Sequence, residues 1–127
     1  FDEAIANYSS KPPLNVMRSD ALRAYVMHGF RAQHDGISIK CLPEHEARTY
    51  EMGAIHETWN DLPKLRVPVW LVSGEVNPHT PGAIAALIAN EVPGSTLVQW
   101  NDLGHFGPMQ DPQRFAQLIA QVDAATQ

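Results

Sequence analysis

Residues 67–112 read VPVWLVSGEVNPHTPGAIAALIANEVPGSTLVQWNDLGHFGPMQDP, and this stretch decides the architecture. Residues 67–72 are a short apolar run, entered through Pro68 and closed by Ser73-Gly74, the pattern of a strand buried in a parallel sheet. Thr80 is placed to cap a helix with its hydroxyl, and Pro81 to occupy the first helical position. Residues 83–91 are rich in Ala, Leu and Ile and stop at Val92-Pro93-Gly94; residues 95–100 form a second short strand. Two strands joined by a helix of this length predict a right-handed crossover between parallel neighbours. In such sheets chemistry sits on loops beyond the carboxyl ends of the strands. Asn77 follows the first strand and His105 the second, so the two are expected to face each other within direct or water-mediated reach.

Three short motifs in this stretch carry a family resemblance: Gly74-Glu75-Val76-Asn77, Gly104-His105-Phe106 and Pro112-Gln113-Arg114-Phe115. Together they resemble the C-terminal half of the α/β-hydrolase fold. There the penultimate strand ends in Gly-x-x-Asp, the last strand runs into Gly-His-Phe or a near variant, and a Pro-x-x-Phe helix start follows. The match covers about the last half of the chain and is specific in combination. The resemblance implies an α/β fold: a partial α/β-hydrolase core with parallel strands, residues 61–127, preceded by a mostly helical cap or lid segment, residues 1–60. The segment from Ala24 through Gly29-Phe30, Asp35-Gly36 and Cys41 to Glu46 and Tyr50 is similar to the cap of one subgroup of capped bacterial hydrolases.

Upstream, Phe1, Ile5 and Tyr8 share one helical face, and Ser9-Ser10-Lys11-Pro12-Pro13 reads as a connector. Ser19 is a natural N-cap for a helix over 20–28, with Leu22, Tyr25, Val26 and Phe30 as its apolar stripe and Gly29 as its stop. His34-Asp35-Gly36 reads as a turn, and residues 37–41 alternate like a short strand or extended segment. Pro43-Glu44 opens a helix to about Met52, with Glu44 and Glu46 placed well for its dipole. Residues 56–60 predict a further helical turn, and a last helix from Pro112 to Ala124 carries Phe115, Leu118, Ile119 and Val122 at helical spacing.

The 127 residues suit one domain, and the net charge of -5, with both signs interspersed, argues against nucleic acid as a partner. No apolar run approaches the ~18 residues a membrane helix needs. No secretory signal is visible, and the single cysteine, Cys41, excludes an internal disulfide; a cytoplasmic setting is expected. His28, His34, His45, His56 and His79 lack metal-ligand spacing, so neither a metal nor another cofactor is expected.

Under the resemblance His105 is the general base, taking a proton from a nucleophile and returning it to a leaving group. The common acid position is Asn77, which accepts a hydrogen bond but brings no charge to an imidazolium. Three readings stay open: Asn77 orients His105 weakly, an acid comes from an earlier strand end, or the protein is a non-catalytic relative. Glu75 should alternate away from the site, and Asp102 is expected to cap a turn. No Gly-x-Ser-x-Gly elbow occurs, so the chain is expected to be the C-terminal part of a larger hydrolase and inactive alone; a stand-alone domain is the competing idea. Phe106, Trp59, Phe30 and Met27 are candidates for lining a substrate pocket, against the blander reading of ordinary packing. The expected partners are a small, mostly apolar substrate and the N-terminal part of the parent hydrolase, with self-association by pairing of open strand edges or by exchange of elements. The substrate bond could be an ester, an epoxide, a carbon–halogen or a carbon–carbon bond. The alternative function is a hydrolase-like protein that binds a ligand without turnover.

Overall fold

The computed structural model describes residues 1–53, 57–76 and 81–126. The chain divides into two compact units, Phe1–Glu57 and Thr58–Gln127.

The first unit holds helices α1 (Asp2–Ser9), α2 (Ser19–Gly29) and α3 (Pro43–Gly53), with a hairpin of strands β1 (Phe30–Gln33) and β2 (Gly36–Ile39). A single 3-10 turn, Leu14–Val16, leads into α2. The core of this unit is Met17, Leu22, Val26 and Phe30, with Val26 fully buried. Tyr8 of α1 packs edge-on against Tyr25 and tilted against Phe30. Burial lifts the Tyr25 phenol above its ordinary value, and Tyr8 and Glu46 add to the effect.

Two expectations change here. Phe30 does not extend the helical stripe: it begins β1, which pairs antiparallel with β2 from Phe30↔Ile39 to Gln33↔Gly36. The helix yields to the strand because the ladder satisfies a backbone that Gly29 would leave poorly held in a helix. The hydroxyl of Ser19 does not cap α2. Arg18 occupies the cap position, and the Asp20 carboxylate accepts the N–H of Ala21 and two bonds from Arg18. That arginine holds the Asp20 carboxyl below the usual carboxylate range.

The second unit opens with a 3-10 segment, Thr58–Lys64, and continues through β3 (Trp70–Ser73), α4 (Ala83–Glu91), β4 (Thr96–Gln99), α5 (Gly107–Gln110) and α6 (Pro112–Thr126). The strands β3 and β4 are parallel, in the register Trp70↔Thr96 to Ser73↔Gln99. Pairing starts later than the apolar run suggested. Val67 is exposed, and the first ladder bond runs from Thr96 N–H to the Val69 carbonyl, because the register Trp70↔Thr96 sets Val67 and Pro68 opposite Pro93 and Gly94, which lie in a turn. The expected cap Thr80 lies outside the described residues. Pro81 is not the first helical residue: it sits in a turn whose carbonyl accepts the N–H of Ile84, and α4 begins at Ala83. The expected further turn reaches from outside the described residues, at His56, into the 3-10 segment at Thr58.

α4 packs on both strands. Ala85, Val92, Trp100 and Leu118 form the buried apolar core of this unit. α6 starts at Pro112, and the Asp111 carboxylate accepts the N–H of Arg114 in its first turn. The carbonyls of Val69 and Ser73 accept from β4, so the backbone groups of Trp70 and Val72 point to the opposite edge of β3. No other strand pairs with that edge among the described residues.

Candidate active site

A parallel pair sends both carboxyl ends to the same side, so the segments after Ser73 and after Gln99 leave the sheet together. They touch at once. The N–H of Glu75 bonds to the Leu103 carbonyl at 2.6 Å, and the N–H of Trp100 bonds to the Ser73 carbonyl at 2.9 Å. Gly74 allows this approach. A Cβ there would lie 2.5 Å from the Leu103 oxygen and 2.8 Å from the Gly104 carbonyl carbon, both backbone atoms that cannot swing aside.

Beyond β4 the chain makes two linked turns. Leu103 N–H bonds to the Trp100 carbonyl and Gly107 N–H to the Gly104 carbonyl, and His105 occupies the second turn. A one-turn helix, α5, follows at once with Pro108 near its start. The His105 ring is exposed, and the Phe106 ring lies 5.2 Å away, centroid to centroid. Gln110 folds back from α5 to accept the N–H of Gly104 at 2.8 Å.

His105 borders a cavity of about 370 Å³. Leu71, Val72, Ile84, Ala85 and Ile88 supply apolar wall from β3 and α4, and Ser73, Gly74 and Glu75 form the end nearest the histidine loop. The cavity is of the size and character of a small-molecule site.

The loop is anchored to α6 by Arg114. Its Nη1 bonds to both carboxylate oxygens of Asp102, at 2.9 and 2.8 Å, while its guanidinium lies 4.6 Å over the Trp100 ring. Trp100 also meets Phe115 edge to face. Asp102 therefore pairs with α6 rather than capping its own turn, since a guanidinium offers stronger hydrogen bonds than a local backbone N–H. The arginine beside it holds the Asp102 carboxyl below its ordinary value.

The other sequence candidates fall in different places. Asn77 lies outside the described residues, as does its expected encounter with His105. Phe106 stands beside His105 but is not among the residues that wall the cavity, and neither is Trp59, half-exposed in the 3-10 segment. In the first unit Phe30 is buried against Tyr8, while Met27 is exposed on α2. Glu75 contributes backbone and lining to the cavity end. Among the described residues no three His, Cys, Asp or Glu side chains gather as a metal site, and no helix is long and apolar enough to cross a membrane. Gln110 escaped sequence reasoning, because a glutamine in a four-residue helix follows no periodic pattern; only its short spacing from His105 hints at contact.

The fold has solved counterparts. The structure is similar to E-2-(acetamidomethylene)succinate hydrolase, with a TM-score of 0.77 and 18% identity over 94% of this chain and 44% of that one. It is also similar to Est816, an N-acyl homoserine lactone degrading enzyme, with a TM-score of 0.52 and 20% identity over 94% of this chain and 43% of that one. A third similar structure is an α/β-fold hydrolase from Bacillus anthracis str. Sterne, with a TM-score of 0.54 and 14% identity over 94% of this chain and 46% of that one. No family model matches the sequence, and no curated protein matches it. The chain has the fold of part of an α/β-hydrolase and spans less than half the length of the structures it matches.

Proposed function

We propose that this chain forms the cap and the C-terminal core of an α/β hydrolase, in which His105 is the general base. The observation that carries the reading is that His105 follows the last strand of the parallel pair and borders an apolar cavity at the carboxyl end of β3. The exposed ring is accessible to a nucleophile, and an imidazole nitrogen can both take up a proton and return it. The nucleophile, on a strand-to-helix elbow, comes from the part of the fold outside these residues. The apolar walls favour a small, mostly apolar substrate whose ester, epoxide, carbon–halogen or carbon–carbon bond is broken. Residues 1–60 act as the lid, with the exposed Met27 and Trp59 as candidates for its pocket face and Phe106 as a shield beside the histidine. The setting proposed is the cytoplasm, and the reading implies no cofactor.

The test is His105→Ala in the full-length hydrolase, assayed on a panel of esters, epoxides and haloalkanes. Nearly all turnover should vanish while the circular dichroism spectrum stays unchanged. Ordinary turnover in that variant overturns the catalytic role.

Asn77, at the position where an acid is common, favours a second reading: a hydrolase-like pocket that holds a ligand without turnover. Asn77→Asp distinguishes the two. If Asn77 is a weakened acid, the substitution should raise turnover, by up to about 10⁴-fold on the scale of an aspartate's worth in a serine triad. Binding without turnover in both forms supports the second reading.

A further inference from the structure

We infer that Gln110 is a positioning residue for His105, acting through the Gly104 peptide. The inference rests on the hydrolase reading only in treating His105 as the reactive group; the geometry is independent of it.

Glycine has more backbone freedom than any other residue, so a histidine preceded by Gly104 would swing unless that peptide is held from outside. Both of its polar groups are held. The Gly104 carbonyl accepts the N–H of Gly107 at 3.1 Å, closing the turn that contains His105. The Gly104 N–H donates to Gln110 Oε1 at 2.8 Å, the one contact in this arrangement made by a side chain. Only the amide oxygen can accept from an N–H, so the orientation of the Gln110 amide is fixed by its partner. Gly74 also presses its backbone against Leu103 and Gly104. The histidine loop is thus held both by the end of β3 and by the side chain of Gln110.

The fit is close. A Cβ at Gly104 would lie 3.4 Å from Gln110 Oε1, at van der Waals contact distance. Gln110 is half-buried, and its own N–H is bonded to the Phe106 carbonyl at 2.9 Å, so the side chain projects from a fixed base. Without the amide oxygen, the partly buried Gly104 N–H loses its partner and the turn can open to let water reach it.

The Phe106 ring beside His105 supplies a signature of position, because the chemical shifts of the histidine ring protons depend on where that aromatic ring lies. Isotope-labelled chain should give a Gly104 amide that exchanges slowly with solvent and His105 ring signals displaced from those of a solvated histidine. In Gln110→Met the Gly104 amide should exchange at least tenfold faster, and the His105 signals should move toward the solvated values. Gln110→Glu keeps an acceptor oxygen and should restore both. A merely structural role would lower the unfolding midpoint of Gln110→Met and leave the native His105 signals in place, which overturns the inference. A Gly104 amide already unprotected in the parent chain overturns it as well, even if Gln110→Met does not fold. None of these readouts depends on turnover, so failure of the hydrolase reading, seen in His105→Ala, is separate from failure of this one.

Discussion

Gly74 and Gly104 meet backbone to backbone where the end of β3 crosses the histidine loop, with no side chain between them. The contact joins two segments far apart in sequence and sets how near His105 can lie to the end of β3. Gly74→Ala forces a methyl group against two carbonyls, and one segment must move. The expected cost is about 1–3 kcal/mol, the range for overpacking a close site, measured by urea denaturation. Signals of Leu103, Gly104 and His105 should shift most in amide spectra. A variant as stable as the parent, with an unmoved loop, would mean the approach is looser than described.

The ion pair between Arg114 and Asp102 makes a prediction about pH. The folded-state pKa of Asp102 lies below its ordinary value of about 3.9. The pair therefore adds stability above that value and loses it as the pH falls through the lower folded value. The stability gap between the parent and Asp102→Asn should be present at neutral pH and disappear in that acid window. Both partners face solvent, so the gap is small and should shrink further in salt. Carboxyl titration by NMR should find Asp102 back in the ordinary range in Arg114→Leu.

Trp100 is the core residue on which the histidine loop rests. It is buried, packed edge-on with Phe115 and covered by Arg114. Trp100→Ala should cost about 3–5 kcal/mol, the range for emptying a large aromatic site. In the first unit Leu22→Ala should cost about 2–5 kcal/mol. Thermal and urea unfolding of the two variants measures both values.

The outer edge of β3 presents the backbone groups of Trp70 and Val72, beside an apolar groove lined by Trp70, Leu118, Ile119 and Val122. The isolated chain is expected to associate with itself through this edge. Val72→Pro removes an outward donor without cutting a bond to β4, and should reduce the association seen by light scattering at rising concentration. A parent chain that stays monomeric would mean that this edge is closed within a single copy.

The parallel pair announced itself because its strands are dense in Val, Leu and Trp and are bounded by Pro, Gly and Ser. Their ends were less clear: hydropathy ran on to Val67, but the residues opposite it, Pro93 and Gly94, lie in a turn, so pairing begins only at Trp70. β1 escaped notice because Phe-Arg-Ala-Gln has one buried apolar residue and no alternation. α5 escaped because a four-residue helix containing Gly and Pro shows no period. His105 was recognisable from its place after a strand, whereas Gln110 and Arg114 act through side-chain contacts that only the folded loop creates. The carboxylate of Asp102 had two potential partners, a nearby backbone N–H and a distant guanidinium, and sequence distance favoured the wrong one.

The hairpin of the first unit offers an experimental handle. Gln33 and Gly36 close its ladder, His34 and Asp35 form an exposed tip, and Gly36 takes the turn's unusual angle at φ 151° while no described non-glycine residue has a positive φ. Residues inserted between His34 and Asp35 would emerge into solvent and leave the pairing from Phe30↔Ile39 inward untouched. An epitope or a fluorophore-binding peptide could be carried there, turning the tip into a reporter that leaves the histidine loop and its cavity unaltered in sequence.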